Sequence, residues 1–350
     1  MGERPRVTIA GVPVSVDHYV GGHRMSSATT FEDRSPLDWS TVLAEVSAGD
    51  AALAEAAVTA ATDAFGGWAA LGPAGRSPYL NRLADLIDER VADIAAVECV
   101  DMAMRHESLR NRVIGRGARN FRAYADLAEQ HEERTWSSNG TANRVQRLPA
   151  GPVVVITPWN APFMLATWKV APALAAGNTV VLKPSEFTPA SALEFVKLVE
   201  EAGFPKGVVN VVTGFGPEAG EPLGIPDDVV KIAFTGGIQS GTHVYEKAAA
   251  GLKKVSLELG GKSPNIVFDD ADLDNAVKGA ISGIFAATGQ TCIAGSRLLV
   301  QDTIHDEFVA RLVELGSLAR MGDPQDFATQ VGPVTNLPQY ETVLNYIQVA

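Results

Sequence analysis

The spacing of hydrophobic and polar positions differs between two parts of the chain. From Asp50 to about Val100 the sequence is rich in Ala and Leu at helical spacing, and Asp50 can cap a helix over Ala51 to Phe65. Beyond Pro149, short apolar runs alternate with helical segments. These runs predict strands at 153–157, 179–183, 208–214, 229–234 and 254–259. Strands that alternate with helices predict an α/β fold with a doubly wound, mostly parallel sheet that is covered on both faces.

Two further features flank the main strands. A second α/β stretch opens near Gly260, with predicted strands at 264–268 and 297–300 and helices from about Asp272 and Ile304. Ahead of the main strands, Asn139-Gly140 is a strong signal for a β-hairpin turn, and 141–149 should form its second strand. The sequence therefore predicts two α/β regions and a separate hairpin.

Composition excludes several classes of protein. The 350 residues include 41 acidic and 29 basic side chains, a net charge of −12, and no run is rich in Lys or Arg, so nucleic acid is an unfavourable partner. The apolar stretch 151–177 is interrupted by Pro, Asn and Lys residues, so a buried strand and helix explain it better than a membrane span. No targeting signal is visible, and the two cysteines fit neither a disulfide framework nor a metal site. We expect a cytoplasmic protein without a metal.

Glycine-rich turns after two of the predicted strands are candidate phosphate sites. Gly214, Gly216 and Gly220 follow one strand, and the run Thr235-Gly236-Gly237 with Gly241 follows another. A doubly wound sheet binds nucleotides where strands end and helices begin, although each turn taken alone fits a plain strand-to-helix connection.

A basic and an acidic residue stand at the end of another predicted strand. Lys183 and Glu186 lie three residues apart there. They could hold ribose hydroxyls, and a solvated charge pair is the alternative.

The two cysteines differ in their surroundings. Cys99 lies on an apolar helix and is expected to be an inert buried residue. Cys292 stands among small residues, including Gly289 and Gly295, which leave space for a substrate. None of the six His residues lies near it in the sequence, so a cysteine-protease arrangement is unsupported.

Six short motifs occur together in one order along the chain. They are PWNAPF (158–163), LKPSE (182–186), GFGPEAG (214–220), FTGG (234–237), LELGGKSP (257–264) and GQTC (289–292). In that order the chain resembles the NAD(P)-dependent aldehyde dehydrogenase superfamily from about residue 50 to its end. Members of that family usually continue with an EEIFGP-type motif and an oligomerisation strand, so the resemblance implies truncation within the catalytic domain.

The resemblance implies a mechanism based on a covalent thiol intermediate. Cys292 would attack the aldehyde, Asn160 and the Cys292 N–H would stabilise the oxyanion, and Glu258 would activate the water that hydrolyses the thioester. A carboxylate in an apolar site has a pKa shifted towards neutrality, which suits a general base.

The resemblance implies a nicotinamide cofactor, and Glu186 favours NAD over NADP because its carboxylate would repel a 2′-phosphate. Lys183 and Glu186 would hold the adenosine ribose. The other implied cofactor-binding residues are Thr157, Pro158, Trp159, Gly216, Gly220, Gly236, Gly237, Gly241, Leu259 and Gly260. Gly237 stands where many members have Ser against the pyrophosphate.

The implied domains follow the same likeness. Residues 1–130 and 150–255 would bind NAD, 131–149 would form an oligomerisation hairpin, and 256–350 would be an incomplete catalytic domain. A homodimer or homotetramer would be expected if the C-terminus is intact.

The substrate is expected to be a carboxylated semialdehyde. Arg116 with Asn120 and Phe121 looks like the helix of the muconic-semialdehyde dehydrogenase subgroup, and the stretch 158–177 resembles its carboxymethyl-hydroxymuconate members. On one continuous helix, Arg105 and Arg116 would point the same way and could clamp a carboxylate, although solvated surface arginines are the alternative. Leu165 and Trp168 would line the substrate tunnel or simply pack in the core.

Three functions are compatible with these residues. The first is NAD-dependent oxidation of a semialdehyde to the acid. The second is a non-catalytic protein that only binds nucleotide or partner subunits. The third, a CoA-acylating dehydrogenase, is disfavoured because Glu258 would divert the thioester to water.

Overall fold

The computed structural model describes residues 3–349, and within that range it contains fifteen strands and twelve α-helices. The strands are β1 Val7–Ile9, β2 Val12–Val14, β3 His18–Val20, β4 His23–Met25, β5 Thr30–Arg34, β6 Val42–Ser47, β7 Arg134–Ser138, β8 Thr141–Val145, β9 Pro152–Ile156, β10 Thr179–Lys183, β11 Val209–Val211, β12 Lys231–Gly236, β13 Lys254–Leu259, β14 Pro264–Val267 and β15 Arg297–Val300. The helices are α1 Ala51–Ala70, α2 Gly72–Glu89, α3 Val91–Met102, α4 His106–Ser108, α5 Ile114–Glu129, α6 Pro162–Ala175, α7 Ala190–Glu201, α8 Glu221–Leu223, α9 Ile238–Ala250, α10 Leu273–Phe285, α11 His305–Ser317 and α12 Leu337–Val349.

The main sheet has seven strands in the order β13-β12-β9-β10-β11-β3-β4. The five strands from β13 to β11 are mutually parallel, and β3 and β4 extend the sheet in antiparallel pairing. The chain builds outward from β9 in one direction through β10 and β11, and then returns to the other side of β9 with β12 and β13. The carboxyl ends of β9 and β12 therefore meet at a topological switch point, where ligands bind in sheets of this kind.

Alternating side chains along each central strand enter two different cores. Val153 and Val155 of β9 pack in the cluster that also contains residues of α2, α5, α6 and α7, whereas Val154 packs with residues of α1 and α8. Because both faces are covered, these strands are apolar throughout, and this is why they appear as continuous hydrophobic runs in the sequence. The predicted doubly wound sheet is confirmed.

Local signals at two element boundaries are also confirmed. The Asp50 side chain accepts the Leu53 N–H at 2.9 Å and caps α1. Asn139 and Gly140 both have positive φ angles, of 51° and 76°, in the tight turn between β7 and β8. This left-handed pair is the geometry that Asn-Gly favours in a hairpin.

The sequence analysis did not identify the strands among the first 49 residues. Strands β1 to β6 are three to six residues long, and polar or glycine-containing segments separate them. Their pairing partners, not a long hydrophobic period, define them as strands. Helix α12 was missed as well.

One helical prediction is wrong. Helix α3 ends at Met102 because Ala103 adopts a left-handed conformation with a φ of 67°. A short helix and a π-helical segment at Leu109–Val113 then precede α5. Arg105 and Arg116 therefore do not lie on one continuous helix.

The second α/β stretch forms a small unit of its own. Strands β14 and β15 pair in parallel, with Pro264 opposite Arg297, and do not join the seven-stranded sheet. Phe308 of α11 is fully buried against Val267 and Val277. No helix among residues 3–349 is long and apolar enough to cross a membrane.

Buried carboxyl groups hold the beginnings of two helices behind the sheet edge. Glu98 Oε2 accepts the Phe163 N–H at 2.9 Å in the first turn of α6, and Asp101 Oδ2 accepts the Ala190 N–H at 3.0 Å at the start of α7. Burial raises the pKa of Glu98 to about 7, and it raises the pKa of Asp101 well above its ordinary value. Glu98 thus fixes the helix that follows Asn160.

This environment predicts how stability depends on pH at Glu98. The folded protein holds the Glu98 proton more tightly than the unfolded chain, so the contribution to stability is fully present below pH 4.5 and is lost as the pH rises to about 7. The loss amounts to about 3 kcal/mol. Relative to the unsubstituted protein, Glu98→Gln should therefore gain about that much unfolding free energy between pH 4.5 and pH 8.

Urea unfolding at both pH values measures this change. Glu55→Gln, which alters an exposed carboxyl on α1, is the control and should show no such gain. If Glu98→Gln and the unsubstituted protein differed in unfolding free energy by the same amount at both pH values, Glu98 would not lose its proton in the folded protein over this range.

Candidate active site

One large cavity opens at the switch point of the main sheet. It has a volume of about 1130 Å³. The ends of β9, β10, β12 and β13 border it, together with the segment around Cys292. Fourteen of the fifteen residues predicted for catalysis and cofactor binding line it, namely Asn160, Glu258, Cys292, Thr157, Pro158, Trp159, Lys183, Glu186, Gly216, Gly220, Gly236, Gly237, Leu259 and Gly260.

Gly241 is the exception among these residues. It is buried on α9, and a Cβ there would lie 2.5 Å from Leu259 Cδ2. The absence of a side chain lets α9 pack closely against β13. Gly241 therefore contributes to helix packing rather than to the cavity wall.

A buried cation and a partly exposed carboxylate form one end of the cavity. Lys183 Nζ lies 3.3 Å from Glu186 Oε2, and the Lys183 side chain is only 3% exposed. Burial lowers the pKa of Lys183, and the charge and hydrogen bond of Glu186 oppose that change. The pair leaves Glu186 oxygen atoms available at the cavity wall.

The turn after β12 presents a helix N-terminus to the same cavity. Gly237 precedes α9 in an extended conformation, and no atom lies within 4 Å of the position a Cβ would take. The first turn of a helix has unpaired N–H groups and a positive dipole end, which favour an anionic group. This turn can accept a phosphate.

Two buried hydroxyl groups lie on neighbouring strand ends in the cavity wall. Among the described residues, the Oγ1 atoms of Thr157 and Thr235 have no hydrogen-bond partner. Thr235 is opposite Glu258 in the β12–β13 ladder, and the preceding Phe234 is opposite Ile156 of β9. Thr157, Thr235 and Glu258 therefore form one row across three strands.

Glu258 is exposed to the cavity, so the expected enclosed apolar setting is not observed. The charge of Glu258 acts on Lys169 of α6. Burial lowers the pKa of Lys169, and the negative charge of Glu258 opposes that shift. The sequence analysis did not single out Lys169, because nothing in the local pattern indicates that α6 brings it towards β13.

The segment before Cys292 has an unusual backbone conformation. Ala287, Thr288 and Gly289 have φ angles of 50°, 58° and 75°. Cys292 follows as an exposed free thiol, whereas Cys99 is buried and burial raises the pKa of its thiol to about 12. The predicted contrast between the two cysteines is confirmed.

A side-chain hydrogen bond and a close backbone approach bring this segment against the main sheet. Asn160 Nδ2 donates to the Gln290 carbonyl at 2.6 Å. A Cβ on Gly261 would lie 2.9 Å from the Cys292 carbonyl oxygen, so only glycine permits that approach. One cavity is therefore lined by three residues from distant parts of the chain, Asn160, Glu258 and Cys292.

The four predicted substrate residues occupy different places. Leu165 lines the cavity. Trp168 is 43% exposed, with the Arg116 guanidinium 5.7 Å from its ring centroid, and neither of these two residues is part of the cavity wall. Arg105 pairs with Glu107 at 2.6 Å and does not line the cavity. The break after α3 directs it towards another part of the surface, next to Pro324 and Phe327.

Among residues 3–349, no group of three or more His, Cys, Asp or Glu side chains could hold a metal ion. The cavity wall offers the Cys292 thiol, the Glu258 carboxylate and the Asn160 amide, together with the Lys183–Glu186 pair.

Comparison with known proteins is consistent with this geometry. The model of the aldehyde dehydrogenase family matches residues 23–350. The chain is 40% identical to 5-carboxymethyl-2-hydroxymuconate semialdehyde dehydrogenase of Escherichia coli, covering 95% of this chain and 71% of the relative. It is 42% identical to 2-hydroxymuconic semialdehyde dehydrogenase of Pseudomonas sp. strain CF600, covering 96% and 71%.

Solved structures give the same result for the fold. PnpE from Pseudomonas sp. WBC-3 is 43% identical with a TM-score of 0.92, and the match covers 95% of this chain and 69% of that one. Betaine aldehyde dehydrogenase from Staphylococcus aureus, solved in complex with NAD+, is 36% identical with a TM-score of 0.93, covering 96% and 68%.

Proposed function

The chain belongs to the aldehyde dehydrogenase family, and from this premise we propose that it oxidises a carboxylated semialdehyde to the acid with NAD+. The observation that carries the proposal is the single cavity that brings Cys292, Asn160 and Glu258 together with the Lys183–Glu186 pair. A nucleophile, an oxyanion donor and a base beside a nucleotide-sized cleft form the set that this reaction requires.

The cavity has the size and the groups needed for NAD+. Its volume of about 1130 Å³ is slightly above the usual range for small-molecule sites, as a dinucleotide together with a substrate requires. Glu186 and Lys183 would bind ribose hydroxyls, and the open turn at Gly237 would receive the pyrophosphate. The unpartnered Thr157 and Thr235 hydroxyls offer further hydrogen bonds. When bound, the nicotinamide accepts the hydride that leaves the substrate carbon.

Cys292 supplies the nucleophile in the first step. Its thiolate sulfur bonds to the aldehyde carbon, and the carbonyl oxygen becomes an oxyanion. Asn160 has one amide N–H on the Gln290 carbonyl and a second available for that oxyanion. One such donor contributes about 3–4 kcal/mol to the transition state.

Glu258 acts in the second step. After hydride loss the substrate remains on Cys292 as a thioester, and Glu258 takes a proton from the water that attacks the thioester carbon. The carbon–sulfur bond breaks, the acid leaves, and Cys292 regains its thiolate. Glu258 is exposed to the cavity, so an attacking water can reach its carboxylate.

The relatives and α6 together support an acidic substrate. The Escherichia coli and Pseudomonas relatives are named for semialdehydes. Leu165 and Trp168 lie three residues apart on α6, so they share one side of the helix, and Trp168 carries Arg116. Arg116 lies outside the cavity wall but is linked through Trp168 to the helix that carries Leu165, so it is retained as the proposed partner of the substrate carboxylate. Arg105 lies beside Pro324 and Phe327 and is not retained.

We propose the functions of the separate parts of the chain on the same basis. The first 130 residues and 150–255 would hold the cofactor, and 256–350 would carry the nucleophile. The β7–β8 hairpin, with Trp136 44% exposed, would serve self-association.

The role of Glu258 predicts a burst of NADH. Glu258→Gln should still form about one NADH per active site and then stall, because the thioester is no longer hydrolysed. Stopped-flow absorbance at 340 nm with a semialdehyde measures this burst. Cys292→Ala is the control and should produce no NADH while it still binds NAD+. A linear time course at the normal rate in Glu258→Gln would contradict the role, and binding without turnover by the unsubstituted chain would favour the purely binding alternative.

The Lys183–Glu186 pair predicts a preference for NAD+. The Glu186 carboxylate accepts hydrogen bonds from ribose hydroxyls but repels a 2′-phosphate. Titration of each cofactor against tryptophan fluorescence should show weaker NADP+ binding, and Glu186→Gln should reduce the difference between the two. Tighter binding of NADP+ by the unsubstituted protein would be the opposite of this expectation.

The Arg116 contact predicts a substrate-dependent loss of activity. Arg116→Ala should lower kcat/KM roughly ten- to hundredfold for an acidic semialdehyde, because a charge-assisted hydrogen bond is lost. Propanal or benzaldehyde should react almost unchanged, and Arg119→Ala, an exposed position on the same helix, should behave like the unsubstituted protein. Equal losses with neutral and acidic substrates would show that Arg116 is structural.

A further inference from the structure

Gln290 makes hydrogen bonds that join the Cys292 segment to two distant parts of the chain, at Asn160 and at Thr335. We propose that Gln290 is a positioning residue that holds the Cys292 segment in its strained conformation and orients the Asn160 amide. The inference rests on the proposed function and adds to it a residue of the cavity wall that acts through Asn160 and the Cys292 segment.

The Gln290 side chain makes two hydrogen bonds in a buried setting. Its Nε2 donates to the Ala287 carbonyl at 3.1 Å, and its Oε1 accepts the Thr335 N–H at 2.9 Å. The residue is 8% exposed. Thr335 in turn donates through Oγ1 to the Met102 carbonyl at 2.8 Å, so Gln290 links the Cys292 segment to the end of α3.

The backbone that these bonds hold is strained. Ala287 and Thr288 both have left-handed φ angles, which residues with a Cβ adopt only where the surroundings impose them. The Gln290 main-chain N–H donates to the Ala287 carbonyl at 3.0 Å, the side-chain Nε2 reinforces that bond, and Thr288 Oγ1 donates to the Gly332 carbonyl at 2.9 Å. Loss of the Gln290 side chain would therefore remove both the reinforcing bond and the link to Thr335, and so loosen a strained segment.

The Gln290 main chain adds the contact with the oxyanion donor. Its carbonyl accepts Asn160 Nδ2 at 2.6 Å, across 130 residues of sequence. This bond uses one of the two amide N–H groups and fixes the direction of the other. When the segment moves, the Gln290 carbonyl moves with it, and the Asn160 amide loses its fixed orientation.

The effect of Gln290 on catalysis should therefore depend on Asn160. Gln290→Ala should lower kcat about tenfold and change KM less than about twofold, because donors must lie within a few tenths of an ångström of the oxyanion. In an Asn160→Ala background, the same substitution should lower kcat by less than about twofold. A merely structural role would instead give additive losses in the double variant.

The experiment is a double-mutant cycle on the full chain with NAD+ and a semialdehyde. Gln290→Met, which retains most of the side-chain volume, replaces Gln290→Ala if the latter does not fold. Gln301→Ala is the matched control, because Gln301 also accepts a backbone N–H, from Asp269 at 3.1 Å, and donates through Nε2, to Asp269 Oδ2 at 2.9 Å. It should leave kcat unchanged.

Hydrogen exchange provides a readout that does not require turnover. In Gln290→Ala the peptides that contain Thr335 and residues 287–291 should exchange at least about tenfold faster, and in Gln301→Ala they should not. Additive losses in the cycle, or unchanged exchange at Thr335, would overturn the positioning role while normal turnover leaves the proposed function intact. Absence of NADH formation by the unsubstituted chain would reject the proposed function, and the catalytic role of Gln290 with it.

Discussion

The parallel register of four neighbouring strands is the constraint on which the site depends. Strands β10, β9, β12 and β13 all end at the same edge, and the direction of chain growth reverses between β9 and β12. Because carboxyl ends of parallel strands share an edge, residues that are up to about a hundred positions apart in sequence become neighbours. Thr157, Lys183, Thr235 and Glu258 meet there for this reason alone.

The nucleophile reaches this edge by a different route. Cys292 belongs to the unit of β14 and β15, which shares no strand pairing with the main sheet. Contacts of backbone and amide groups make the connection, at Asn160 and Gln290 and at Gly261 beside the Cys292 carbonyl. Such contacts are short and directional, so they locate the thiol more exactly than apolar packing between the two units would.

Charges are distributed unequally on the two sides of the sheet edge. The cavity side holds the buried Lys183 ammonium, which donates to Glu186 at 3.3 Å. Behind the edge, Glu98 and Asp101 are fully buried and accept N–H groups at the starts of α6 and α7. Burial raises the pKa of both carboxyls, so ionising them in the folded protein costs free energy of folding. The folded protein tolerates this cost at the positions that hold the two helix starts in place.

The sequence by itself determined the class of the sheet and most boundaries of the central strands and helices. It also identified fourteen of the residues that line the cavity. Continuous apolar runs such as 153–157 and 179–183 are readable because a strand buried on both faces needs apolar side chains throughout. Short motifs identified Asn160, Glu258 and Cys292 because their chemistry depends on residue type. Tertiary structure alone decided the strands before Asp50, the direction of Arg105 after the left-handed Ala103, the packing role of Gly241 and the bonds of Gln290. These features arise from contacts between distant segments, and no local pattern of residues records which segments will meet.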